Sequence, residues 1–188
     1  HVETFVAITD SAGKILSRHL QRTTREFGSE SGISARAISV SVPSDFGENV
    51  QTLLADINWY GLASIQFIKP IEGAPVLIDF NGRMYGSLVF ANACGMRAME
   101  NWARLATGGE PAPSKEIVGL RYQALEGDLR RASKLRGAER IAELAGCLTN
   151  VGRSVHAILN WSDIVPTLAY LWRRSLRLFG KGMRSYER

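Results

Sequence analysis

Between Val76 and Leu88 the sequence reads Val-Leu-Ile-Asp-Phe-Asn-Gly-Arg-Met-Tyr-Gly-Ser-Leu. The side chains of Asp79, Asn81, Arg83 and Ser87 can do chemistry at this spacing. In an extended strand the side-chain period is two, so Asp79 and Asn81 project from one face. A carboxylate and an amide oxygen side by side suit a hard cation such as magnesium, which keeps several waters and leans on phosphate oxygens. Arg83 follows just past the strand end, where a planar guanidinium can grip phosphate. Gly86-Ser87 then opens a helical run whose free amides would face the same mouth. Gln66, on the preceding strand-like run, can reach this face as a further, weak oxygen ligand. The same residues also read as plain turn chemistry, because Asp before Asn-Gly is a common way to leave a strand. Spacing alone leaves both readings open.

The elements that must position these residues follow from pattern. Val2 to Thr9 and Gly13 to Glu26 are β-rich runs joined by Asp10-Ser11-Ala12-Gly13, which predicts an antiparallel hairpin. Gly28 to Ser34 is small and polar, hence a loop, and Ala35 to Val42 is extended again. After Pro43, Ser44 is placed to cap a helix whose buried face is Phe46, Val50, Leu53, Leu54 and Ile57. Leu62 to Lys69 and Pro75 to Asn81 form a second hairpin, and the near-continuous apolar run of the latter predicts a central strand. Two helical runs follow, Ser87 to Cys94 and Met96 to Ala106, and Gly108-Gly109 close them. Glu116 to Ala124 reads as β, while 128–148 and 164–179 read as helices. The class is α+β: a mostly antiparallel sheet with packed helices over 1–108, then a mainly helical extension over 109–188.

Composition narrows the function classes. The 188 residues are 45% hydrophobic and 22% charged, ordinary values for a globular chain. The net charge of +5 resides in residues 173–188, where Arg173, Arg174, Arg177, Lys181, Arg184 and Arg188 face only Glu187. The preceding part is neutral, and its cations are not interleaved with exposed aromatics, so no nucleic-acid partner is expected. Cys94 and Cys147 belong to no CxxC or Cys/His cluster and read as buried thiols of a reducing compartment. With no run of about 18 apolar residues and no signal-peptide profile, the expected location is cytoplasmic. His1, His19 and His156 are isolated, and no G-x-S-x-G, G-x-G-x-x-G or Walker A run occurs, which removes the zinc, serine-hydrolase and P-loop readings. Trp59, Trp102, Met96 and Met99 are expected to pack in the core.

Gly61-Leu62-Ala63-Ser64-Ile65-Gln66-Phe67, a hairpin, and then Ile78-Asp79-Phe80-Asn81-Gly82-Arg83-Met84-Tyr85-Gly86-Ser87-Leu88 resemble the end of an ATP-grasp domain. The pattern there is a strand with an acidic residue before Phe, a hairpin, and acidic-x-Asn-Pro-Arg. The upstream hairpin and Gln21-Arg22-Thr23-Thr24-Arg25-Glu26-Phe27 are similar to the carboxyl-terminal subdomain of carboxylate-amine ligases of that superfamily, so the resemblance covers residues 1 to about 108. It implies ATP and magnesium as cofactors, with Asp79 and Asn81 as metal ligands, Arg83 as the catalytic contact to the γ-phosphate or acyl phosphate, and Ser87 beside the nucleotide. The implied substrates are a small carboxylate and an amine or similar nucleophile, and Arg22, Arg25 and Arg36 are candidates to face the carboxylate. Two departures stand out. Gln66 replaces the usual acidic first ligand and weakens one metal site, and Gly82 replaces the usual Pro, which loosens the turn. A first subdomain with phosphate-binding lysines and a Gly-rich loop is expected before His1, so the chain is expected to be a carboxyl-terminal fragment, inactive alone.

A second reading belongs to another class: a non-catalytic binding module in which the motif has decayed and the basic helix within 173–188 docks an anionic membrane surface or an acidic partner. Self-association into a homo-oligomer is open under either reading.

Overall fold

The computed structural model describes residues 1–27, 33–160 and 162–173. They divide into two compact units, 1–157 and 158–188, of which the second is described as helical over 165–173. The loop expected at Gly28 to Ser34 and the basic segment 173–188 fall largely outside the described residues. Among those residues no helix is long and apolar enough to cross a membrane.

The first unit is α+β. Seven strands form one sheet: β1 (Val2–Thr9), β2 (Ile15–Phe27), β3 (Ile33–Val40), β4 (Gly61–Ile68), β5 (Val76–Asn81), β6 (Arg121–Gln123) and β7 (Val155–His156). Their order is β5-β4-β1-β2-β3-β6-β7, antiparallel throughout except for the parallel pair β6–β7. The helices are α1 (Ser44–Asp56), α2 (Leu88–Ala91), α3 (Ala98–Ala106), α4 (Leu125–Ser133) and α5 (Gly137–Val151), and a π-turn at Asn92–Met96 joins α2 to α3.

β1 is the buried centre, solvent-shielded from Glu3 to Thr9, and its alternation sorts the two faces. Phe5 and Ala7 point with Leu20, Ala63, Ile65 and Phe67 toward α1, whose Val50 and Leu54 complete that core. Val6 and Ile8 point the other way, under Leu88, Ala91, Met96 and Ala98. Farther along the second face, Phe90 and Cys94 pack on Ala37 and Tyr122. Asp10 closes the β1–β2 turn by accepting from the backbone amides of Ala12 and Lys14, both at 2.9 Å.

Several expectations are corrected. β5 is the edge strand, not a central one: Val76, Leu77 and Ile78 are exposed, because only β4 pairs with it. Its apolar run is explained locally by a bulge, where Ile78 is the extra residue between the Gln66–Asp79 and Phe67–Leu77 pairs. Ser44 does not cap α1; Pro43 occupies that position and no side chain bonds the free amides. The helix expected over 128–148 is two, α4 and α5, with a break at Lys134 to Arg136. The β stretch after Glu116 shortens to β6, and β7 has no counterpart in the sequence reading. Met99 is exposed rather than core. β6 and β7, which follow residue 108, extend the same sheet rather than starting another. Cys94 and Cys147 are both free and buried, and burial pushes the Cys94 thiol up to about 11, so it stays protonated at neutral pH.

Candidate functional site

Asp79 and Asn81 sit on one face of β5, two residues apart, and β4 supplies their neighbours. Gln66 lies directly opposite Asp79 and Ser64 opposite Asn81. The Asn81 amide donates to the Asp79 carboxylate, tying the pair together at the sheet edge. Phe80 between them points to the other face, where it packs against the α1 core. Antiparallel pairing then carries a polar row inward: Gln66 faces Thr4, Thr4 faces Gln21, and Gln21 faces Ser39. Five strands thus contribute polar side chains to one line across the sheet, and Asn81, Ser64 and His19 stand in the next row of the same face.

Gln21 links this row to Ser87. Its Nε2 donates to the Ser87 hydroxyl at 3.4 Å, while its buried Oε1 has no hydrogen-bond partner. His19, next on the same face, is buried against the edge of Phe90 at 5.3 Å, and its Nε2 is also unpartnered. Burial lowers the His19 pKa to about 4, so the ring is neutral at pH 7. Neither Gln21 nor His19 was singled out from sequence. The available signal was the polar alternation Ser17, His19, Gln21, Thr23 along β2, which places hydrophilic groups on a face that helices cover.

Arg83 projects from an exposed arch between Gly82 and Tyr85, and its Nη1 donates only to the neighbouring Met84 carbonyl at 3.3 Å. Ser87 precedes α2, a helix of four residues. The Leu88 amide is already spent on the Tyr85 carbonyl at 3.1 Å, and Phe90 on the Ser87 carbonyl at 2.9 Å. The free amides expected at this helix start are therefore partly committed.

The three arginines with a candidate substrate role are placed elsewhere. Arg22 points to the α1 face, opposite to Asp79, and its Nε donates to buried Glu3 at 2.9 Å. Arg25 forks onto Glu143 and reaches Asp128 at 3.3 Å. Arg36 donates to Asp128 at 2.6 Å. Asp128 is fully buried and also accepts from Gln123 at 2.7 Å, so these cations join the sheet to α4 and α5.

Among the described residues no three of His, Cys, Asp and Glu gather as a metal cluster. The donor set at the β4–β5 edge is one carboxylate and two amide oxygens, from Asp79, Asn81 and Gln66. That chemistry fits a single hard cation that draws its remaining ligands from phosphate and water, and it does not fit two. A cleft of about 390 Å³ lies apart from this edge, lined by Ser17, Arg18, Gly47, Gln51 and Lys115 among others.

No family model and no curated protein matches the chain. Solved structures do. The biotin carboxylase domain of a thermophilic 2-oxoglutarate carboxylase bound to bicarbonate superposes with a TM-score of 0.50 at 17% identity, over 62% of this chain and 27% of that one. The biotin carboxylase subunit of pyruvate carboxylase gives 0.50 at 17% identity, over 64% and 28%. The 2-oxoglutarate carboxylase domain with ADP and no magnesium gives 0.50 at 16%, over 62% and 27%. The chain thus spans little more than a quarter of each of these three structures. At this identity the fold is what is shared, and it is the fold of part of an ATP-grasp domain.

Proposed function

We propose that this chain is the carboxyl-terminal part of an ATP-grasp ligase that activates a carboxylate with ATP. The observation that carries the reading is the β4–β5 edge: Asp79, Asn81 and Gln66 share one face, Arg83 stands free just beyond, and the sheet that presents them has the ATP-grasp fold. Asp79, Asn81 and Gln66 would hold a magnesium ion, which when bound offsets phosphate charge and polarises the γ-phosphoryl group. Among the described residues Arg83 has no acidic partner to surrender, so its guanidinium is available to the phosphate oxygens, where charge builds during transfer.

An oxygen of the carboxylate substrate attacks the γ-phosphorus, the bond to the ADP oxygen breaks, and an acyl phosphate forms. An amine or similar nucleophile then attacks the acyl carbon and inorganic phosphate leaves. Bicarbonate, which is bound in one of the matched carboxylase domains, is the smallest member of the substrate class. With a single carboxylate, the Asp79, Asn81 and Gln66 set would hold one cation that draws its other ligands from phosphate and water.

In the protein that contains this chain together with whatever its activity requires, Asp79→Ala and Asn81→Ala each lower substrate-dependent ADP release about 10- to 100-fold. Coupled-enzyme detection of ADP reads this directly, and unchanged turnover in both variants removes the metal assignment.

A further inference from the structure

The arch that carries Arg83 is seated on a residue of the connection between α1 and β4. Gly82 follows Asn81 at the end of β5, and a Cβ placed on it would come within 2.5 Å of both Cη2 and Cζ2 of Trp59. No side chain fits there beside the indole. The indole itself is held by a hydrogen bond and a ring contact. Its Nε1–H donates to the Leu62 carbonyl at 3.2 Å, and its ring meets Phe80 edge-on at 4.7 Å. Its backbone amide donates to Leu54 at 2.9 Å, and its carbonyl accepts from the Thr9 hydroxyl at 2.7 Å. Trp59 therefore touches the Asp79-to-Arg83 segment twice, under Phe80 between the two ligands and against Gly82 just past them. The far foot of the arch is anchored as well, since Tyr85 packs on the Leu88 cluster. Arg83 and Met84 project between two fixed feet.

We propose that Trp59 is a positioning residue for the candidate site: it sets the exit angle of the chain after Asn81 and so fixes how Asp79, Asn81 and Arg83 converge. The turn is not loosened by Gly82, as the sequence suggests. Glycine vacates a volume that Trp59 fills. The role of Trp59 toward the ligands rests on the function proposed above.

The test measures the chain as Gly82→Ala, Trp59→Ala, the double variant and Trp59→Phe, with thermal unfolding to confirm the fold. Two readouts are taken: 15N relaxation of the amides from 82 to 86, and manganese(II)-induced broadening at Asp79 and Asn81. Each single variant is expected to mobilise the 82–86 amides and to weaken the manganese midpoint about tenfold. The double variant is expected to be no worse than Trp59→Ala, since the new methyl enters the space left by the indole, and Trp59→Phe should recover part of the loss. Additive losses in the double variant, or rigid 82–86 amides in Gly82→Ala and Trp59→Ala, overturn the proposal. Absence of manganese broadening in the unsubstituted chain, with the relaxation pattern as expected, counts against the metal reading and supports the seating by Trp59.

Discussion

His19 shows how one residue can couple the sheet face to pH. Its folded pKa of about 4 lies below the ordinary 6.5. Between those values the unfolded chain takes up a proton that the folded chain refuses. The stability contribution is therefore complete above pH 6.5 and is lost as pH falls toward 4, about 3 kcal/mol in all for this group. His19→Gln should flatten that part of the stability profile, as read from urea midpoints at pH 7 and pH 5; an unchanged slope would show that His19 does not titrate this way. The neighbouring Gln21 illustrates what sequence could not reveal. Asp79, Asn81 and Arg83 were legible because strand alternation and a strand end are local. The inward row through Gln66, Thr4 and Gln21 exists only once three separate pairings fix their register. The destinations of Arg25 and Arg36 depended on where a helix 92 or more residues later would dock.

At the scale of elements, Asp128 is the joint between sheet and carboxyl-terminal helices. It opens α4, is fully buried, and takes hydrogen bonds from Arg25 of β2, Arg36 of β3 and Gln123 of β6. Asp128→Ala would leave the largely buried Arg36 guanidinium without its counter-charge and Arg25 with Glu143 alone, and the expected loss is about 3 to 5 kcal/mol in chemical denaturation. A loss below about 1 kcal/mol would mean that the network is solvated in solution. Gly127 explains how α4 comes so close, because a Cβ there would meet the Phe27 ring at 2.5 Å. Element types were mostly readable from periodicity: β1 and α1 fall where the pattern puts them. β5 was readable as a strand but not as an edge, since hydrophobicity records composition rather than neighbours, and the bulge at Ile78 had broken the alternation that marks a half-covered strand.

At the scale of the molecule, the sheet has two unlike ends. One is closed off by the short pair β6–β7, and the other is β5, six residues long with Val76, Leu77 and Ile78 exposed. An apolar strand with unpaired backbone groups is a template for association. Ile78→Lys is expected to slow heat-induced aggregation, followed by light scattering, while leaving the unfolding midpoint within about 0.5 kcal/mol of the parent in stability terms. Aggregation at the parent rate would show that this edge is not where chains meet.

The placement of β1 between β2 and β4 also governs the order in which the molecule can be assembled. The pairing with β2 closes over a five-residue turn, but the pairing with β4 waits until residues 61–68 are made and must bring ends together across α1. Such long-range closure is slow compared with hairpin formation. On a ribosome, Phe5 through Ile8 would emerge before residues 61–68, as one flank of a two-stranded ribbon, apolar on both sides and half unpaired. The window before β4 arrives is therefore the time at which nascent-chain binding factors have most to protect.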